Sequence, residues 1–216
     1  MIKGIIFDMD GVIINSENIK ANAWEQILTK YGVRGGGGWY KNNLGNPGKI
    51  LAEKAIAEFS LPIDINRLFL DVHHHYLKEL ENSSNPIKTS IDFLKLIPKS
   101  KFKIALSSSM DKKTMLQQMN MNGVLNIFDS VTSGLDEIKK DKPNSDIYLA
   151  TAKKLNILPK NCIVIEDTPP GVKSAKNAGM KCIGFINPMN GKQDLSEADI
   201  ITNNLLKIDI NEMSKL

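Results

Sequence analysis

The chain has 216 residues, 42% apolar and 24% charged, with 28 Lys and Arg against 24 Asp and Glu. That length suits one large domain or a core with a smaller insert, and the composition is that of a chain able to bury a core. A charge of +4 without a block of like charges gives no support for a nucleic-acid partner and leaves a mild bias toward small anions.

The N-terminal MIKGIIFDMD is charged by residue 8, and no apolar run approaches the length of a membrane span. Neither a signal peptide nor a membrane partner is expected. The two cysteines, Cys162 and Cys182, lie in the apolar runs CIVIE and KCIGF, where buried free thiols are expected. Such thiols fit a reducing, cytoplasmic setting.

In chain order, GIIF (4–7) reads as the first strand, and the next residues are Asp8, Met9, Asp10 and Gly11. Two carboxylates one residue apart at the edge of a core need a partner or a task. Residues i and i+2 of a strand point to one side, so Asp8 and Asp10 could address one ligand; spacing alone does not say which of them attacks.

No comparable strand follows in residues 15–86. They read as an inserted helical segment with helices over 17–31, 48–59 and 64–81, around a loose stretch at 32–48. The insert carries eight Lys and Arg and eight Asp and Glu, so the +4 belongs to the rest of the chain. Gly35–Gly38 reads as a flexible loop, with a hinge as the sharper alternative. Trp24, at helical spacing from Leu28, reads as packing or as a substrate platform. The run His73–His75 cannot chelate one ion from a regular helix, because successive residues diverge by roughly 100°; packing or surface histidines are expected.

The remaining strands read as FKIAL (102–106), CIVI (162–165), KCIGF (181–185) and DIIT (199–202). Near-continuous apolar runs imply strands covered on both faces. Helices are expected over 111–121, 145–155 and 171–178, the last ending at Gly179. Strand and helix alternation predicts a doubly wound α/β parallel-sheet core, residues 1–14 and 87–216, with the helical insert 15–86 after its first strand.

Ligands of open parallel sheets bind beyond the carboxyl ends of the strands. There the sequence supplies Asp8 and Asp10, Ser107–Ser109, Lys142 ahead of a helix, and Glu166, Asp167 and Thr168. Carboxylate oxygens suit a hard cation such as Mg²⁺. A lysine and hydroxyls suit a phosphoryl group.

FDMDGVI, IALSSS, KPNSDIYLATAKKL and IEDTPPGVKSAKNAGM, in this order, resemble the four motifs of the haloacid-dehalogenase-like (HAD) superfamily. The branch they resemble most holds small sugar-phosphate phosphatases and β-phosphoglucomutases, and the insert stands where that branch places its cap. The resemblance implies a Mg²⁺-dependent phosphatase acting through an aspartyl-phosphate. Asp8 would be the nucleophile, and Asp10 would protonate the leaving oxygen and then activate water. Ser108, with the backbone of Ser109, would bind the phosphoryl group, and Lys142 would balance its charge. Asp167, the Asp8 carboxylate and the Asp10 carbonyl would hold Mg²⁺, with Glu166 as a ligand to the metal or its water.

Departures from the branch narrow the reading. Asp10 argues against the dehalogenase and phosphonatase branches. Lys20 stands where the mutases carry a cap histidine, Lys49 where a basic residue is retained, and KPNSD where KPxPD is usual. Lys20, Lys49 and Trp24 are candidate substrate contacts. The expected substrate is a small phosphorylated metabolite, a sugar or polyol phosphate, taken by a monomer whose cap closes over it. The alternatives are a β-phosphoglucomutase-like phosphotransferase and a non-catalytic HAD-fold binding protein.

Overall fold

The computed structural model describes residues 1–44 and 46–213, without the Asn82 side chain. The chain forms two compact units: Met1–Asn15 with Ser84–Pro188 and Lys192–Leu216, and Ser16–Ser83 with Met189–Gly191. The expected insert 15–86 compares with a second unit whose main segment starts one residue later and ends three residues earlier. Ile14 pairs with Pro86 as an isolated antiparallel bridge within the first unit.

In chain order the strands are β1 (Gly4–Asp8), β2 (Lys103–Ser108), β3 (Ser130–Ser133), β4 (Cys162–Glu166), β5 (Lys181–Phe185) and β6 (Ile200–Thr202). They form one sheet in the order β3-β2-β1-β4-β5-β6, with every pairing parallel. The expected α/β doubly wound architecture is present, with β1 at the centre. Connections run one way from β1 toward β2 and the other way through β4. The order therefore reverses between β1 and β4, the place where such sheets bind ligands.

The second unit holds helices α1 (Glu17–Thr29), α2 (Gly36–Asn42), α3 (Gly48–Phe59) and α4 (Ile65–Asn82). The first holds α5 (Lys88–Leu96), α6 (Lys112–Met121), α7 (Gly134–Glu137), α8 (Asp146–Leu155), α9 (Pro169–Asn177) and α10 (Ile210–Met213).

Both faces of the sheet are buried. Ile6, Ala105, Val164 and Cys182 occupy paired positions on β1, β2, β4 and β5, and pack with Tyr148, Ala152 and Leu155 of α8 and with Val172 and Ala175 of α9. Phe7 packs against Phe93 of α5 and Phe128, with ring centroids 6.3 and 6.5 Å away. Side chains of this kind each contribute roughly 1.5–3 kcal/mol on full burial. Both cysteines are buried and free, and burial pushes the Cys162 thiol up to about 11.

The second unit corrects one expectation. Residues 36–42 are helix, although they begin Gly-Gly-Gly and each glycine costs roughly 1 kcal/mol there relative to alanine. Close packing on α1 is the reason. A Cβ on Gly36 would stand 2.8 Å from Leu28 Cδ1, and one on Gly37 would stand 2.9 Å from the Ala21 carbonyl oxygen. The Glu25 carboxylate accepts from the N–H groups of Gly35 (3.2 Å) and Gly37 (2.7 Å), which meets the open donors at the start of α2. Glycine here permits a tight helix pair rather than a flexible loop or hinge. Gly45, in the same loose stretch, lies outside the described residues. Among the described residues no helix is long and apolar enough to cross a membrane.

Candidate active site

The chemistry-bearing residues of the first unit gather at the carboxyl edge of the sheet. Asp8 ends β1 and is 5% exposed. Its Oδ1 accepts from Lys142 Nζ at 2.5 Å, and the same ammonium donates to Glu166 Oε1 at 2.6 Å. Lys142, brought in by the segment ahead of α8, thus joins the ends of β1 and β4. Its Nζ lies 5.2 Å from the ring centroid of Tyr148, a cation–π distance. The Tyr148 hydroxyl donates to Glu166 Oε1 at 3.0 Å.

Glu166 is the most heavily bonded carboxylate described at this edge. Its Oε1 already accepts from Lys142 and Tyr148, and its Oε2 accepts from Asp167 N, Thr168 N and Thr168 Oγ1 at 2.8, 2.9 and 3.0 Å. Five protein donors meet this carboxylate, so Glu166 anchors Lys142 and the β4–α9 turn. The turn is built for that purpose. Thr168 caps α9 by accepting from Gly171 N, and Pro169 opens the helix. A Cβ on Gly171 would lie 1.7 Å from Glu166 Oε1, so only glycine fits against that carboxylate.

The end of β2 and the residue after it supply the hydroxyls. Ser107 and Ser108 point to opposite sides, as strand geometry requires. Ser107 Oγ meets Thr151 of α8 at 3.2 Å, buried in the core, whereas Ser108 Oγ donates to Asp10 Oδ2 at 3.2 Å. Ser109 is exposed, and its hydroxyl donates to Asp141, the neighbour of Lys142, at 3.2 Å. Asp167, immediately beyond β4, is 2% exposed.

Four acidic residues, Asp8, Asp10, Glu166 and Asp167, gather at this edge beside Lys142. Burial, with Glu166 and Asp10 adding to it and Lys142 opposing, pushes the Asp8 carboxyl up to about 7. Burial also works against the Lys142 ammonium, but Asp8 and Glu166 outweigh it and hold its pKa well above the ordinary lysine value. For Glu166 burial is likewise outweighed, by Lys142 and Thr168, and its pKa is lowered.

This all-oxygen, negatively biased donor set fits a hard divalent cation such as Mg²⁺. Among the described residues no three His, Cys, Asp or Glu side chains form a metal site by themselves.

The sequence model of the haloacid dehalogenase-like hydrolase family matches residues 5–185. The chain belongs to that family. The matched HAD segment runs from within β1 to the end of β5 and so contains every motif residue described above. A phosphorylated carbohydrates phosphatase of Thermotoga maritima is 27% identical over 204 residues, covering 92% of each chain. A probable pseudouridine-5′-phosphatase of Saccharomyces cerevisiae is 32% identical over 200 residues, covering 87% of this chain and 84% of its own. Among solved HAD structures, a β-phosphoglucomutase from Clostridium difficile superposes with a TM-score of 0.79 at 23% identity, covering all of this chain and 96% of its own. That likeness is one of fold.

The candidates in the second unit have other surroundings. Trp24 is 3% exposed and packs among Trp39 (5.4 Å) and Tyr40 (6.3 Å). It is an interior side chain of the helical unit, which favours the packing reading. Lys20 Nζ pairs with Glu17 Oε1 at 2.9 Å, and Glu17 Oε2 accepts from the Tyr40 hydroxyl at 2.5 Å. Lys49 is exposed in the first turn of α3. His73 stacks on Phe69, His74 is exposed and His75 bonds to Glu79 at 3.2 Å.

Sequence reading missed three contributors to the first unit's site. They are the Tyr148 hydroxyl, the Gly171 contact and the Ser109–Asp141 link.

Proposed function

We propose that this protein is a Mg²⁺-dependent phosphatase of small phosphomonoesters, sugar or polyol phosphates, working through an aspartyl-phosphate on Asp8. The observation that carries the reading is the Lys142 ammonium bridging Asp8 and Glu166 at 2.5 and 2.6 Å in a buried site. Phosphate-monoester hydrolysis is extremely slow unaided, and it is accelerated mainly by positioning and by neutralising charge on the phosphoryl oxygens.

Asp8 is the nucleophile. Its Oδ–P bond forms as the ester P–O bond breaks, and Asp10 gives a proton to the departing alkoxide. Water then attacks phosphorus and passes a proton to Asp10, the Asp8–phosphate bond breaks, and both carboxyls are restored. Lys142 opposes the burial that raises the Asp8 pKa and offsets the phosphoryl charge. Ser108 and the backbone at Ser109 hold the phosphoryl oxygens. Asp8, Asp167 and the Asp10 carbonyl would hold Mg²⁺, which when bound supplies the positive charge that this edge lacks. Lys20 and Lys49 are proposed for the anionic remainder of the substrate.

The names of the relatives support phosphorylated carbohydrates as the substrate class. The buried free thiols support a cytoplasmic setting, and a cap that must move to admit a small molecule supports a monomer.

The test is a phosphate-release screen over phosphorylated sugars and polyols, with and without Mg²⁺, beside Asp8→Asn. We expect Mg²⁺-dependent release that Asp8→Asn lowers by at least about 10³-fold. Release without metal, or release that survives the substitution, would reject the mechanism. With β-glucose 1-phosphate the same assay separates phosphatase from mutase, by inorganic phosphate against glucose 6-phosphate.

A further inference from the structure

Asn187 stands two residues beyond the segment that matches the HAD family. It is 4% exposed, although it is a polar side chain in a loop after β5. Its Nδ2 donates to the Gly11 carbonyl at 2.9 Å and to Asn15 Oδ1 at 2.8 Å. Both acceptors lie in the turn that follows Asp8 and Asp10.

That turn is held from the inside as well. Gly11 N donates to the Ile14 carbonyl at 2.7 Å, and Ile13 N and Ile14 N both donate to the Met9 carbonyl, at 2.8 and 3.0 Å. The two peptide planes flanking Gly11 are therefore both fixed. The Asp10–Gly11 plane is fixed through the Gly11 N–H, and the Gly11–Val12 plane through the carbonyl that Asn187 grips. Asp10 cannot rotate its backbone without breaking one of these bonds.

The grip extends outward. Asn15 N donates to the Asn85 carbonyl at 2.8 Å, Asn85 Nδ2 returns a bond to the Asn15 carbonyl at 3.3 Å, and Ile87 N reaches the Ile13 carbonyl at 2.8 Å. Asn187 itself is steadied on both sides. Ile186 N donates to the Thr202 carbonyl at 2.8 Å, and Pro188 restricts the residue before it to extended backbone. The amide places two N–H donors on one nitrogen here; the isosteric aspartate has none when ionised.

We infer that Asn187 is a positioning residue for the proposed reaction. It holds the Gly11–Asn15 turn so that Asp10 stands ready for proton transfer, and it does not itself touch substrate. The inference rests on the phosphatase reading of the same site.

The test combines turnover of 4-nitrophenyl phosphate with Mg²⁺ and amide hydrogen exchange. Both are measured on the wild type, Asn187→Ala, Asn187→Asp and Asn187→Ser. In the alanine and aspartate variants we expect kcat to fall roughly 10- to 100-fold with KM within about twofold, since small misplacements of reacting groups cost on that scale. Serine, which keeps one donor, should recover part of the loss, and it carries the test should the other variants not fold. Exchange should quicken at Gly11, Ile13, Ile14 and Asn15 and stay unchanged in β2 and β4. An inactive wild type would remove the phosphatase reading, and this inference with it. An active wild type would overturn the inference alone if Asn187→Asp kept full kcat, or if kcat fell without faster exchange in the turn.

Discussion

The carboxyl edge of the sheet and the helical unit spend their polar residues differently. At the sheet edge, the buried Asp8 and Glu166 are joined through the half-buried Lys142 by short charged hydrogen bonds, while Asp8 is pushed up to about 7. That arrangement stores an electrostatic imbalance, as sites built for chemistry do. In the helical unit, the buried Glu17 is matched by Lys20 and the Tyr40 hydroxyl, and Trp24 fills an aromatic core. Its charges are balanced and its aromatic side chains pack. A residue type that looks functional in a sequence is therefore informative at a strand end, and much less so on the buried face of a helix.

The largest test of this contrast is Gly171→Ala. The new methyl must displace the Glu166 carboxylate, and with it Lys142. We expect kcat to fall by about 100-fold while most of the fold survives. Unchanged turnover would show that the Glu166 anchor is dispensable.

Trp24→Ala tests the other side. Removing a buried tryptophan should cost about 3–5 kcal/mol, read from urea unfolding, with KM of the folded fraction unchanged. A raised KM at unchanged stability would return Trp24 to substrate binding.

Lys20→Met is expected to act less strongly, by about 1–2 kcal/mol, because it leaves the buried Glu17 with its tyrosine donor alone. Recovery in the double variant with Glu17→Gln would identify the pair as the source. A KM effect without a stability effect would instead support the proposed contact with substrate.

The smallest effect belongs to Asp199, at the opposite edge of the sheet. Burial opposes its ionisation, but Lys176, the Cys182 N–H and Lys181 outweigh it and hold the carboxyl below its ordinary 3.8. A lowered folded pKa contributes stability that is present above 3.8 and lost as pH falls through the folded value. Asp199→Asn should therefore be mildly destabilising at pH 7 and neutral in strong acid. A loss independent of pH would mean that its hydrogen-bond geometry matters more than its charge.

Five of the six strands were legible because buried parallel strands read as apolar runs. The exception, β3, is the polar edge strand SVTS, which carries no such run. Helix α5 was overlooked although Ile91, Phe93 and Leu94 carry the signal. Helix α2 was hidden by its glycines, whose reason is a neighbouring helix rather than any local preference. The motif residues of the site were legible as a set through family resemblance, since they lie at strand ends in a fixed order. The grip of Glu166 on Lys142 and the β4–α9 turn was not, because only the folded chain brings those donors together. The same holds for Asn187, whose partners lie more than 170 residues away.

The central claim is that Asp8 becomes phosphorylated. The most direct measurement is acid quenching during turnover of a ³²P-labelled sugar phosphate with Mg²⁺, followed by peptide mapping. The account predicts label on the peptide that contains Asp8, and none in Asp8→Asn. Steady phosphate release with no label on that peptide, or with label on another residue, would contradict it.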